Sequence, residues 1–336
     1  MSVYRPLVQS DPTRPAGAVL LAGGPLWFTH AERLTRGSRP ELVTAAEIPP
    51  EPLARLSASR APIAGVTFDA PRLMGILNVT PDSFSDGGLH HEPTDALIAA
   101  REMMERGADI LDIGGESTRP GALEVPVNQE IQRVLPVIGA IGAELSIPLS
   151  IDTRKAAVAE IALAGGAALV NDVAGFTFDP DLAPLCARLG APVCVMHALG
   201  DPTTMQHDPR YDDVVLDVYD FLQARIDALV EAGVARDQII VDPGIGFGKT
   251  IAHNLTLLHN VSVFHGLGCP VLLGVSRKRF IGVIGHAPIA AERAPGSIAV
   301  GLAALAQGVQ ILRVHDVAAT AQALRLWRAV RDNKEK

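Results

Sequence analysis

From about residue 72 to residue 313, short runs of aliphatic and β-branched residues alternate with longer stretches whose apolar residues recur every three or four positions. No other feature constrains the fold as strongly. Short apolar runs suit buried strands, and the three-four spacing suits helices with one face against a sheet. The runs fall at 73–78, 109–113, 148–151, 168–171, 192–196, 238–242, 270–274 and 309–313, and helical patterns cover 94–106, 127–145, 155–164, 211–232 and 297–307. Eight successive βα units favour a TIM barrel over an open sheet. Gly107-Ala108 and Gly165-Gly166-Ala167 follow two of the helices, where a glycine can take the left-handed conformation that ends a helix. Residues 1–70 differ in texture. They are rich in proline and hold one brief apolar stretch, 16–28, so they read as a small β or mixed extension that plugs the barrel or forms an interface. The expected division is 1–70 for the extension and 71–336 for the (β/α)8 barrel.

Composition narrows the class. With 336 residues, 48% hydrophobic and 20% charged, the chain can bury a large core. No apolar run reaches the roughly 18 residues of a membrane span, and Met-Ser-Val-Tyr-Arg-Pro is no signal sequence, so a cytoplasmic protein without membrane contact is expected. A net charge of −8 argues against nucleic acid as a partner. Cys186, Cys194 and Cys269 are odd in number and lack metal-site spacing, which suits buried free thiols.

In such a barrel the C-terminal strand ends converge on one mouth, and here every one carries polar chemistry. In chain order they are Asn78, the loop Gly114-Gly-Glu-Ser-Thr-Arg-Pro-Gly121, Asp152, Asn171-Asp172, Met196-His197, Asp242-Pro-Gly-Ile-Gly-Phe-Gly-Lys249, Ser276-Arg-Lys-Arg279 and Arg313-Val-His-Asp316. Gly244–Thr250 mimics a P-loop, but the register puts Pro243 where the first glycine belongs, and a P-loop opens a different fold. Two groups remain. Arg119, Arg277, Arg279, Arg313 and His315 can donate to a polyanion, although singly each also suits a solvated surface. Asp152, Asn171 and Asp242 can accept the paired N–H groups of a flat heterocycle, or else satisfy loop backbone and arginines. Lys278 can donate to a ring carbonyl or form a Schiff base.

The motifs Gly75-Ile-Leu-Asn-Val-Thr-Pro-Asp-Ser-Phe-Ser-Asp-Gly-Gly88, Asp112–Gly121, Ile151-Asp-Thr153, Val170-Asn-Asp172, Val195-Met-His197, Asp242–Lys249, Ser276-Arg-Lys278 and Arg313-Val-His-Asp-Val317 together resemble the dihydropteroate synthase family over about residues 70 to 330. The resemblance implies a folate-pathway transferase. It would join 6-hydroxymethyl-7,8-dihydropterin diphosphate to 4-aminobenzoate, release diphosphate with Mg²⁺ present, and be a target of sulfonamides. By similarity Asp152, Asn171, Asp242 and Lys278 hold the pterin, with Met196 also at the substrate. Asn78, Arg313 and His315 engage the diphosphate, and Asn78 is the protein ligand to Mg²⁺. Thr118, Arg119, Pro120, Phe247 and Lys278 resemble the aminobenzoate environment, formed when loops 79–91 and 115–126 close. Catalysis is then dissociative and falls to Asn78, Lys278, Arg313 and His315. On this division, Arg313→Ala should lose diphosphate far more than free pterin. The extension lies outside the family core, and Arg279 stands where some members carry a small residue. The nearly all-apolar helix at 297–306 suggests a homodimer. A pterin-dependent methyltransferase and a non-catalytic pterin-binding paralogue are the alternatives.

Overall fold

The computed structural model describes residues 2–80, 93–117, 122–200 and 204–334. Five short strands come first, β1 (Ser2–Pro6), β2 (Val19–Leu20), β3 (Trp27–Phe28), β4 (His30–Thr35) and β5 (Glu41–Thr44), followed by the helix α1 (Pro50–Ser57). β1, β4 and β5 form one antiparallel sheet, and β2 with β3 a small ribbon. They close over a core of their own that includes Tyr4, Leu21, Phe28, Ala31, Val43 and Leu56.

The larger unit is built from β6 (Arg72–Asn78), β7 (Ile110–Gly114), β8 (Leu149–Asp152), β9 (Leu169–Asp172), β10 (Val193–Met196), β11 (Ile239–Asp242), β12 (Leu272–Leu273) and β13 (Ile311–Val314). All pair in parallel, and a bridge between Val241 and Val271 links the two end strands, so the sheet closes into the barrel expected from the alternation. The helices α2 (Pro93–Arg106), α3 (Val127–Glu144), α4 (Ala156–Ala164), α5 (Leu182–Leu189), α6 (Val214–Glu231), α7 (Ile251–His259), α8 (Arg279–Ile284), α9 (Ala294–Leu305) and α10 (Val317–Asp332) follow the strands around the outside, with α10 packed on both α9 and α2.

Boundaries shift where local chemistry decides them. α6 starts at Val214 rather than 211 because the Asp213 carboxylate accepts from Val215 N and Leu216 N at 3.0 and 3.1 Å. α9 starts a turn earlier than its apolar run because Pro295 is tolerated in a first turn. The three cysteines are buried and free.

Strand periodicity sorts the barrel interior into layers. Met74, Ile110, Leu169, Cys194, Ile240, Leu272 and Ile311 form one apolar cluster at the N-terminal end of the strands, and Ile63, Val66 and Phe68 pack into that cluster from the preceding segment. Two residues further along, the same strand faces carry Ile76, Asp112, Asn171, Met196, Asp242, Gly274 and Arg313. The interior therefore changes from hydrocarbon to hydrogen-bonding groups within about 7 Å, two strand residues.

Candidate active site

Arg313 is the centre of the polar layer. Its Nε donates to Asp112 Oδ2 at 2.5 Å and its Nη2 to Asp152 Oδ2 at 2.7 Å. Asp112 Oδ2 also accepts from Asn171 Nδ2 at 3.0 Å. One carboxylate from β7 thus holds an arginine from β13 and an amide from β9. Because a carboxylate oxygen only accepts, it fixes the sense of the Asn171 amide and leaves the carbonyl oxygen to face a ligand. Burial tends to weaken the Arg313 charge, but the two aspartates outweigh it and hold the guanidinium protonated. Asp112 Oδ1 and Asp152 Oδ1 are buried with no hydrogen-bond partner among the described residues, which suits a ligand that brings its own N–H donors.

Burial pushes the Asp152 carboxyl up to about 7, with Arg313 pulling the other way and Asp112 adding to the rise. Asp242 is raised by burial too, against the pull of Lys278, and its Oδ1 accepts from Gly244 N at 2.7 Å. Lys278 is lowered to about 8 by burial, partly offset by Asp242. Its ammonium donates to Ile245 O and lies 4.5 Å from the centre of the Phe247 ring. Gly274 keeps the space between these groups open, since a Cβ there would stand 3.8 Å from Asp242 Oδ2 and 4.0 Å from Arg313 Cβ.

Asn78, at the end of β6, lies across from Gly114, where an added Cβ would meet Asn78 Oδ1 at 3.5 Å and Asp152 Oδ2 at 3.7 Å. His315 Nδ1 is 2.9 Å from Ser276 Oγ. Met196 is buried beside Asp242 on the neighbouring strand. Thr118, Arg119 and Pro120 lie outside the described residues, as do 81–92 of the first long loop.

Among the described residues, the cations grouped from the sequence have different surroundings. Arg277 is engaged by Asp316, with Nε 3.0 Å from Oδ2. Arg279 is exposed. Arg313 sits among the carboxylates rather than apart from them, so it links the two groups instead of belonging to one. Asp112 was not singled out in the sequence, because an aspartate inside a short apolar strand gives no sign of which side chains reach it.

A second polar cluster lies behind the loop that follows β7. Lys155 Nζ is 2.8 Å from Glu130 Oε2, 3.2 Å from Glu116 Oε1 and 2.6 Å from Val125 O. Thr153 Oγ1 donates to Glu130 Oε1 at 2.7 Å, Arg154 Nη2 to Glu116 Oε2 at 3.2 Å, and Val125 N to Glu116 Oε1 at 2.8 Å. All four charged side chains are almost wholly buried. The cluster ties both ends of the segment 116–125 to the end of β8.

A closed parallel barrel with paired aspartates, an amide, a lysine and an arginine in its mouth is the arrangement of an enzyme that holds a flat nitrogen heterocycle. The model of the family described as pterin binding enzyme matches residues 74–315, and the chain belongs to that family. Dihydropteroate synthase of Escherichia coli strain K12 is 45% identical over 266 residues, covering 79% of this chain and 93% of that protein. The solved structure of Xanthomonas albilineans dihydropteroate synthase with 4-aminobenzoic acid matches with a TM-score of 0.76 at 47% identity, covering 81% of this chain and 98% of that one. The enzyme from the same organism in complex with 7,8-dihydropteroate matches with a TM-score of 0.72 at 44% identity, covering 79% and 95%.

Proposed function

We infer that this chain is a transferase that condenses 6-hydroxymethyl-7,8-dihydropterin diphosphate with 4-aminobenzoate to give 7,8-dihydropteroate and diphosphate. The observation that carries this reading is the polar layer of the barrel mouth, with buried Asp112 and Asp152 oxygens that have no partner among the described residues, in a chain so similar to dihydropteroate synthases. Asp152, Asp242 and the Asn171 carbonyl accept from the pterin ring, Lys278 donates to it, and Met196 packs against it. Arg313 and His315 face the diphosphate. Phe247 and Lys278 border the aminobenzoate together with Thr118, Arg119 and Pro120.

The reaction needs little from a base. Departure of diphosphate leaves a cationic pterin methylene, and the aryl amine attacks it before giving up its proton. Arg313 stabilises charge developing on the departing oxygens. Its two aspartates keep it ionised and fixed in place, so it does not reorganise during the reaction. Among the described residues no group of three or more His, Cys, Asp or Glu can hold a metal. The Asn78 oxygen fits a hard cation that takes most of its ligands from phosphate and water, as Mg²⁺ does. When bound, the cation supplies positive charge at the departing diphosphate.

The same groups set a pH window. Burial raises Asp152 to about 7 and lowers Lys278 to about 8, so the carboxylate gains its charge as the pH rises toward the range where the ammonium begins to lose its own. A ligand that donates to the carboxylate and accepts from the ammonium is therefore bound best between the two. The profile of kcat/KM should rise towards about 7 and fall beyond about 8. Lys278→Arg should remove the alkaline limb whatever it does to the maximum, because guanidinium keeps its proton. An alkaline limb unchanged in that variant would take Lys278 out of the assignment.

Residues 1–70 are assigned a structural role, with 63–68 closing the floor of the barrel and the catalytic unit confined to 71–336. The protein is placed in the cytoplasm, in keeping with folate chemistry on small soluble substrates. It acts as a homodimer. Val283, Ile284, Ile289, Leu326 and Val330 are more than half exposed in and near α8 and in α10, and α10 packs on α9. Sedimentation equilibrium at micromolar concentration should give twice the chain mass, and a purely monomeric species would reject the dimer.

The activity itself is tested with purified protein, dihydropterin diphosphate, labelled 4-aminobenzoate and Mg²⁺, with and without EDTA. Label should enter dihydropteroate only when metal is free. Tight binding of the pterin diphosphate without product would favour a non-catalytic paralogue.

A further inference from the structure

The glycine-rich loop after β11 imitates a phosphate-binding motif in sequence but not in its hydrogen bonds. Its carbonyls, not its amides, are turned toward side-chain donors. Gly244 O and Phe247 O each accept from Lys249 Nζ at 2.9 Å, and Ile245 O accepts from Lys278. Gly246 O accepts from Gln206 Nε2 at 2.6 Å and Gly248 O from Tyr211 Oη at 2.7 Å. The amides of Gly244 and Gly246 are already taken by Asp242 Oδ1 and Asn254 Oδ1, both at 2.7 Å. Gly244 must be glycine for this path. Its φ is +68°, and an added Cβ would fall 1.8 Å from His197 O.

Lys249 is the inner support of the loop. It is 3% exposed, and no carboxylate among the described residues contacts its amine. Besides the two carbonyls, Nζ lies 2.8 Å from His197 Nδ1. His197 O, at 3.4 Å, is a fourth acceptor around the one amine. Burial lowers both Lys249 and His197, the imidazole to about 2, so the ring is neutral and can offer Nδ1 as a lone pair.

We propose that Lys249 is a positioning residue for the reaction: its buried amine wraps the 244–248 loop around itself and so sets the places of Phe247 and Lys278. The link is direct, because the peptide it grips at Phe247 carries the ring under Lys278, and the carbonyl that holds Lys278 lies between its two backbone contacts. The inference rests on the reading that Lys278 and Phe247 border the substrates.

The test compares Lys249→Ala and Lys278→Met with the parent protein. A displacement of the order of 1 Å in a substrate-positioning group costs up to about 100-fold in rate. Lys249→Ala should accordingly lose about 10–100-fold in kcat/KM per folded molecule. Propylammonium, which matches the atoms removed beyond Cβ, should restore at least part of that loss in a saturable way. The same amine should raise the Tm of Lys249→Ala and leave the parent unchanged. A purely structural lysine would show a lower Tm with kcat/KM per folded molecule intact, and that result overturns the proposal, as does a lowered kcat/KM that no alkylammonium recovers. If Lys249→Ala does not fold, Lys249→Met keeps the stem, loses the donors and is judged by the same loss in kcat/KM. If Lys278→Met leaves kcat/KM unchanged, the site reading fails; a sensitive Lys278 beside an inert Lys249 fails only this inference.

Discussion

Arg313→Ala is expected to abolish measurable turnover, to weaken free pterin as well as diphosphate, and to destabilise the barrel. The guanidinium is bound to two buried carboxylates, Asp112 and Asp152, at 2.5 and 2.7 Å. Removing one member of a buried ion cluster typically costs about 3–5 kcal/mol, because the remaining charges have neither water nor a partner. The cluster can relieve part of that cost by taking up a proton. Asp152 already stands near 7 with Arg313 beside it, and without the arginine it rises further. At pH 7 the pocket then meets the pterin with a neutral acid where it needs an acceptor. Titration calorimetry with 6-hydroxymethylpterin at pH 7 and pH 9 reads this directly: the variant's affinity should be poor at the lower pH and partly recover at the higher. Diphosphate binding should be lost at both. Intact pterin affinity at pH 7, with only diphosphate lost, would support the two separate subsites that the sequence suggested.

The contact between Arg313 and the aspartates shows where the sequence stops. The barrel was legible because each buried strand needs an unbroken apolar run and each covering helix a three-four period, and both survive as patterns in one dimension. Strand ends were legible as the places where those runs stop at Asn78, Asp152, Asn171, Asp242 or Arg313. What meets what across the mouth was not. Asp112 and Arg313 are 201 residues apart in sequence, and nothing in either segment encodes their pairing. Lys249 read as the end of a false P-loop, and only the fold shows its amine turned onto the loop's own carbonyls. In the extension, β4 and β5 were hidden for a different reason. Their sheet is small and mostly wet, so that His30-Ala-Glu-Arg-Leu-Thr35 buries only Ala31 fully, too little apolar alternation to announce a strand. Glu130 was hidden by its helix. It falls among Asn128, Gln129 and Gln132, where a polar residue looks solvated, yet it is fully buried.

Glu130 and Lys155 give the other large effect. Lys155→Met should lower the unfolding free energy of the barrel by about 3–5 kcal/mol, the usual consequence of stripping one partner from a buried charge cluster. Glu116 would keep Arg154 and Val125 N, but Glu130 would be left with the Thr153 hydroxyl alone. The loss should therefore lie mostly with Glu130, and the double variant Lys155→Met with Glu130→Gln should recover a large part of it, since a neutral amide beside Thr153 needs no counter-charge. Urea unfolding followed by far-ultraviolet circular dichroism decides the matter. The midpoint of Lys155→Met should fall with little change in the denaturant slope, and that of the double variant should return toward the parent. A single-variant loss below about 1 kcal/mol would put these charges in the range of a solvated surface pair. Because the same lysine holds Val125 O, and Glu116 holds Val125 N, the single variant should also raise the KM for 4-aminobenzoate more than that for the pterin diphosphate. A barrel that stays folded with both KM values unchanged would separate this cluster from the substrate mouth altogether.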